Sequence, residues 1–475
     1  MKTPMRRLTF WIPATTCLTA AVIAACSSDD ARLTFIEDHD ADATTPTPPP
    51  PSDAEPDPND AATPVDADAA SNKAPFDSTD EPVVCATTPC AVQIVAGEGH
   101  LCARMSDGTV RCWGDNTKGS LGVETSPDAG TSNGGDIDAG DAGTPGVTTP
   151  VTALADVSQL SAGGTTTCAV VAGGDVHCWG GNDKGQLGLV VDPAATDTNA
   201  HPLASRVALP SAASRVDVGP IGACAVLTSG EIWCWGDNSQ RQLARITTTT
   251  VAGPGKAVLG SFHVVRATAG TSTGFGLTDT GQILSWGAVA GTQAVVSARL
   301  ASLSPDERPV AIGVGPATSF SVSSTTSSRA HACAVADGYV HCWGASSMGA
   351  LGTGLPDSSP RPRRVTIESE KAWPQQVAAA GEITCARLTD GTVQCAGDNN
   401  LGVLGEDPKK ATYSMLFRPV ETFTGHAVQI ATASRTACAL LEDGSVVCWG
   451  SNQRGELGQG TTDPDPHPTP VSVRF

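Results

Sequence analysis

Three observations in the sequence predict an all-β chain folded as a seven-bladed β-propeller of four-stranded blades. First, a Trp-Gly pair recurs at Trp113, Trp179, Trp235, Trp286, Trp343 and Trp449, and a degenerate copy at Ala396-Gly397 brings the count to seven. Second, the copies are widely spaced: 51 residues separate Trp235 from Trp286 and 66 separate Trp113 from Trp179. That period suits a four-stranded blade better than a solenoid unit of roughly 20–45 residues. Third, the stretch before each pair reads as a hairpin with equivalent positions in its two arms.

The hairpin is clearest in the last copy, where Cys438 and Cys448 lie symmetrically about Asp443. The strands then face each other across Glu442-Asp443-Gly444, a three-residue loop that wants glycine in the third place, where φ is positive. Gly108, Gly174, Gly230, Gly281 and Gly391 stand at the same place in other copies. In the fifth copy the interval from Cys333 to Cys342 is one residue shorter, and the loop becomes Asp337-Gly338, a favoured type I′ turn.

The cysteines follow the same register. Cys102/Cys112, Cys168/Cys178, Cys224/Cys234, Cys333/Cys342, Cys385/Cys395 and Cys438/Cys448 are expected to sit opposite each other as disulfides. In the two-residue hairpin the pair is the fourth out from the turn, a non-hydrogen-bonded site where Cα atoms lie about 4.5 Å apart. The fourth copy has Phe275 and Ser285 there, so both partners are missing together, as a disulfide requires. A zinc site is the alternative, but two cysteines per blade around a ring cannot supply four ligands to one ion. Cys85 and Cys90, just ahead of the first copy, are expected to close a seventh local loop.

The full unit runs small-Gly-x-x-His/Thr-x-Cys-Ala, then Asp-Gly-x-Val-x-Cys-Trp-Gly, then Asn-x-x-Gly-x-Leu-Gly. Asn116 to Gly122, Asn182 to Gly188 and Asn452 to Gly458 carry the last part closely. This unit resembles the regulator of chromosome condensation repeat, over roughly residues 92–475, and the resemblance implies a seven-bladed β-propeller. The third copy drifts to Arg241-Gln242-Leu243-Ala244, and the fourth lacks the Asn-x-x-Gly-x-Leu-Gly run after Trp286. The nucleotide exchange known in that family belongs to a nuclear GTPase partner and is not carried over to a chain with an export signal. A secreted bacterial β-lactamase inhibitor of the family, which binds a protein across one face of the ring, is the nearer analogy.

Residues 1–25 read as a signal peptide, with Lys2, Arg6 and Arg7 ahead of an apolar stretch. Ile23-Ala24-Ala25-Cys26 resembles a bacterial lipobox, which implies cleavage before Cys26, lipidation of its sulfur and anchoring in a membrane through the lipid. Ser27 after the cysteine resembles lipoproteins sent on to an outer membrane. Residues 26–82 form an acidic, Pro/Asp/Ala-rich tether expected to be disordered, spanning about 40 Å or more as a coil. From Ser27 to Pro82 it carries 15 of the chain's 49 acids against only Arg32 and Lys73. Removing that share from the net charge of −20 leaves residues 83–475, the propeller, only mildly acidic. The lack of a Lys/Arg stripe argues against a nucleic-acid partner, and none is expected. Six or seven disulfides agree with export, because they persist in oxidising compartments.

Residues 124–149 form an acidic insertion in the first copy. Its Asp136, Asp138 and Asp141 suggest calcium, but Gly140 falls where an EF-hand needs its third ligand, so a disordered loop is expected. At the other end, the terminal Val471–Phe475 stretch follows a Thr469-Pro470-Val471 segment like Pro150-Val151-Thr152 and Arg418-Pro419-Val420. It is expected to join the N-terminal blade or its neighbour, with Pro82-Val83-Val84 competing for the slot.

No catalytic set is legible. His100 and His331 share one repeat position, and His177 and His341 share another, so repetition explains both pairs better than metal binding. The Trp-Gly indoles are expected in the blade cores, whereas Trp233 and Trp373 lie off the repeat position and are candidates for exposed contacts. No nucleophile elbow, phosphate loop or metal motif is present. The expectation is a non-enzymatic, monomeric lipoprotein of a bacterial outer membrane or cell surface, without cofactor or metal, that binds a protein, peptide or glycan on its loops. The alternative is an envelope polysaccharide lyase or hydrolase, which would bring three or more carboxylates, histidines or arginines together on one face.

Overall fold

The computed structural model describes residues 81–124, 146–189, 197–287 except 246 and 248, 310–323 except 313, and 330–475 except 347 and 370. The signal peptide, Cys26, nearly all of the tether and most of the 124–149 insertion therefore lie outside the described residues. What is described is seven four-stranded antiparallel sheets, each a meander of consecutive strands. The first blade comprises Ala91–Ala96, His100–Met105, Val110–Gly114 and Thr149–Pro150, from the axis outward, and the seventh ends with Asp463–Ser472.

The hairpin chemistry explains the second and third strands of each blade. Cys102 pairs with Cys112 and Cys438 with Cys448 across the ladder. All six blade disulfides form, with Cα atoms 4.0–4.2 Å apart, as expected of non-hydrogen-bonded neighbours. Cys85–Cys90 closes the local loop before the first blade. Gly108 and Gly444 take φ of 79° and 82° in the three-residue turns, and Asp337 and Gly338 take 50° and 76°, the two positive values of a type I′ turn. The turn aspartates act as caps: Asp443 Oδ1 accepts from Ser445 N and Oγ at 2.9 and 2.6 Å. The glycine after each tryptophan is needed for closeness. A Cβ on Gly114 would lie 2.6 Å from the Gly99 carbonyl oxygen, and one on Gly180 would lie 2.2 Å from that of Thr165.

The core lies between blades. Trp179 of the second blade shares a buried cluster with Cys102 and Cys112 of the first, and Trp113 does the same with Cys438 and Cys448 of the seventh. Five of the six repeat indoles donate their N–H to a carbonyl of the preceding blade, among them Trp113 to Glu456 at 2.9 Å and Trp235 to Gln186 at 2.8 Å. Trp343 Nε1 has no partner among the described residues, and the preceding blade is the copy whose Asn-x-x-Gly-x-Leu-Gly run is missing.

A second set of contacts, not anticipated from the sequence, ties the inner strands together. Gln93 Nε2 donates to the Leu160 carbonyl and its Oε1 accepts from Leu160 N. The same two-bond clasp runs from Gln159 to Val216, from Gln376 to Ile430, and from Gln429 to Ile94. Each glutamine follows a β-bulge in its inner strand, which turns it out of the ladder toward the next blade. Arg215, Arg266 and Ser319 occupy the place in the middle three blades.

The ring closes blade against blade. The C-terminal strand Asp463–Ser472 stays in the seventh blade, the neighbour of the first, and pairs with Val446–Asn452 of its own meander. Pro82-Val83-Val84 does not compete for that slot. Val84 and Ala86 donate instead to Glu442 and Asp443 on the hairpin turn of the seventh blade, at 2.7 and 3.0 Å. No strand is exchanged between described blades, and the last seam is held by side chains: the Gln429 clasp, the Trp113 bond, and Phe475 edge-on to Trp113 at 5.7 Å.

Candidate functional site

An antiparallel meander puts its first and third connections at one end of the sheet and its second at the other. One face of the ring therefore carries the Asp-Gly hairpins, and the opposite face carries the inner turns and the Asn-x-x-Gly-x-Leu-Gly loops. On that loop face the asparagine side chain organises its own loop: Asn116 Oδ1 accepts from Leu121 N at 3.0 Å and Asn182 Oδ1 from Leu187 N at 3.1 Å.

Comparing the copies separates scaffold from variable residues. The shared tryptophans and cysteines are buried, and His100 and His331 reach threonines of following blades, with Nε2 2.7 Å from Thr167 Oγ1 and 2.8 Å from Thr384 Oγ1. His100 is fully enclosed, and burial lowers its pKa to about 4, so it is neutral at physiological pH. His201 and His467 instead pair with Asp197 and Asp463 on outer strands, both at 2.7 Å, in matching positions of the second and seventh blades.

The inner turns differ. At the place of Glu98 the second, third, fourth, sixth and seventh blades have Gly164, Pro220, Thr271, Gly381 and Ser434, and Glu382 and Arg435 stand one residue further on. The sixth, seventh and first blades bring Glu382, Arg435 and Glu98 to the rim of a cleft of about 360 Å³, with Asp398, Arg454 and Glu456 around it. Arg454 reaches across the seam to Asp115 at 3.1 Å. Glu456 stands where two other copies have Gln186 and Gln242, is 6% exposed, and burial raises its pKa above the ordinary glutamate value. Its Oε2 accepts from Arg454 N at 2.8 Å, as Gln186 Oε1 accepts from Lys184 N at 2.7 Å. No signal in any one repeat marks this cleft, because Glu98 and Glu456 come from opposite ends of the propeller sequence.

The central channel, of about 660 Å³, is the second cavity. Asp217 is buried in its wall between Arg215, at 2.7 Å, and Arg266, at 3.0 Å, and burial opposes while the two guanidiniums favour its charge, with a lowered pKa as the result.

Trp233 and Trp373 are both half-buried and belong to the third and sixth blades, so the structure does not bring them together. Trp233 packs against the core between the second and third blades and donates to Glu231 Oε2 at 3.1 Å. Among the described residues no three His, Cys, Asp or Glu side chains are grouped to hold a metal ion, and no helix is long and apolar enough to cross a membrane.

The comparisons with known proteins agree with this geometry. Profiles of the regulator of chromosome condensation (RCC1) repeat match residues 91–120, 157–186 and 427–456, and also 337–387 and 443–475. The drifting third and fourth blades are not among the matched stretches. The human E3 ubiquitin-protein ligase HERC2 is 25% identical over 383 residues, 77% of this chain, but the match spans only 7% of that ligase. The ultraviolet-B receptor UVR8 of Arabidopsis thaliana is 26% identical, with 66% of this chain and 69% of the receptor covered. Among solved structures, yeast RCC1 (Prp20) bound to Kap60 superposes with a TM-score of 0.63 at 17% identity, covering 83% of this chain and 87% of that one. Human WBSCR16 gives 0.61 at 21% identity, covering 78% and 94%.

Proposed function

This chain belongs to the regulator of chromosome condensation repeat family, and from that premise we propose that it is an exported lipoprotein whose propeller binds a protein partner without transforming it. The lipobox ending at Cys26 supports anchoring, in a bacterial outer membrane or cell surface, and seven disulfides support an oxidising compartment. One observation carries the binding reading. The residues shared by the copies are spent on holding blades together, whereas side chains of both signs that differ between copies gather at a cleft on the loop face. Side chains of both signs on rigid turns suit a polar protein surface better than an apolar ligand.

Two experiments test the parts separately. Replacing Cys26 with Ser is expected to release the protein from membranes, and retention would contradict the anchor. The immobilised full chain is expected to capture a defined protein from envelope extracts. A Glu98→Lys/Arg435→Glu variant with intact disulfides should capture at least tenfold less, and equal capture would place binding elsewhere.

A second reading, hydrolysis or lysis of an envelope polysaccharide, rests on the carboxylates of the same cleft. Burial raises the pKa of Glu456 above the ordinary glutamate value, and a glycosidase uses two carboxylates, one of them kept protonated by its environment. Against it, Glu456 is almost enclosed and hydrogen-bonded to its own loop. Product release from envelope polysaccharide by the wild type, abolished in Glu456→Gln, would overturn the binding reading.

A further inference from the structure

The central channel is cationic in an otherwise acidic chain. Its described lining includes Arg104, Arg215, Arg266 and Arg387, and Asp217 is its one carboxylate. Three of these arginines are accounted for. Arg215 and Arg266 share Asp217, and Arg387 Nη1 meets Glu81 Oε1 at 2.7 Å. Arg104, on the second strand of the first blade, has no carboxylate within ion-pair distance among the described residues. Its Nε is buried with no hydrogen-bond partner.

A guanidinium presents a fork of donors matched to a carboxylate or phosphate, and low-dielectric walls around a channel concentrate the field of the charges within it. At the hairpin end, Val83 reaches the channel lining, and the segment it belongs to is fastened on both sides. Glu81 holds Arg387 and also His426, at 2.5 Å, while Val84 and Ala86 bond to the seventh hairpin. We infer that the channel is a binding site for a small multivalent oxyanion held by Arg104. The site is separate from the charged cleft and stands whether or not that cleft binds a protein.

The test uses the full chain with two probes, citrate for carboxylates and inorganic pyrophosphate for phosphates, against sodium chloride at equal ionic strength. At least one probe is expected to raise the melting temperature and to give saturable heat on titration, and the one that does so identifies the head group. Arg104→Gln should weaken that binding at least tenfold, whereas Arg361→Gln, on the outer strand of the fifth blade, should leave it unchanged. Should Arg104→Gln fail to fold, Arg104→Lys, which keeps the charge but loses the fork, is expected to bind several-fold more weakly than wild type. Absence of binding by both probes to the wild type would overturn the inference, as would undiminished binding by the Arg104 variants.

Discussion

His100 shows how one buried side chain sets a condition on the whole fold. Enclosure lowers its pKa from 6.5 to about 4, so the folded state favours the neutral ring and the unfolded state takes up the proton first. Its contribution to stability is therefore complete above about pH 6.5 and is lost as pH falls toward 4, at up to about 1.4 kcal/mol per pH unit. Denaturant midpoints measured from pH 7 to pH 4 should fall more steeply for wild type than for His100→Gln, and parallel slopes would contradict the assignment. At this scale the sequence was unevenly legible. Cysteine, tryptophan and turn glycine announce their roles by chemistry, so their positions were readable. Gln93, Gln159, Gln376 and Gln429 were not, because a lone glutamine in an alternating strand looks like a solvent-facing residue. The available signal was positional: each stands twenty residues before its Trp-Gly tryptophan or, for Gln376, before Ala396.

At the scale of the blade, tryptophan and the preceding disulfide form one packing unit, and the exceptions are repaired. Where Phe275 replaces a cysteine, its ring meets Trp343 edge-on at 6.5 Å. Where Ala396 replaces a tryptophan, Phe417 from the outer strand of the same blade takes the space. Phe417 is fully buried with Cys333, Cys342 and Ala396, and a Cβ on Gly352 would lie 2.3 Å from its ring. At the corresponding Gly122 and Gly458 a tryptophan ring stands 3.2–3.3 Å from the same point, behind a valine. Phe417→Ala should consequently cost about 3–5 kcal/mol in equilibrium unfolding, the range for an emptied aromatic site. A loss under about 1 kcal/mol would show that the space is not the indole's. The outer strands also protect themselves. Pro464, Pro466, Pro468 and Pro470 alternate along the last strand and remove amide donors from its free edge, where another chain could pair.

At the scale of the molecule, the seven blades close with no strand exchanged among the described residues. The count of blades and the disulfide register followed from the repeat, but the closure did not, because a sequence pattern cannot distinguish a seam made by pairing from one made by side chains. The seam between the seventh and first blades has the same glutamine clasp as that between the sixth and seventh. Gln429→Ala and Gln376→Ala should then destabilise by similar amounts, about 1–3 kcal/mol for two backbone groups left unpaired. A Gln429 variant as stable as wild type would mean that the ring is closed by other contacts. The cleft and the channel are likewise products of closure, assembled from blades distant in sequence.

The most direct test of this architecture is peptide mapping of the unreduced protein by mass spectrometry. The expected linkages are Cys102–Cys112, Cys168–Cys178, Cys224–Cys234, Cys333–Cys342, Cys385–Cys395 and Cys438–Cys448 within blades, with Cys85–Cys90 ahead of them. A linkage joining cysteines of two different blades would contradict it.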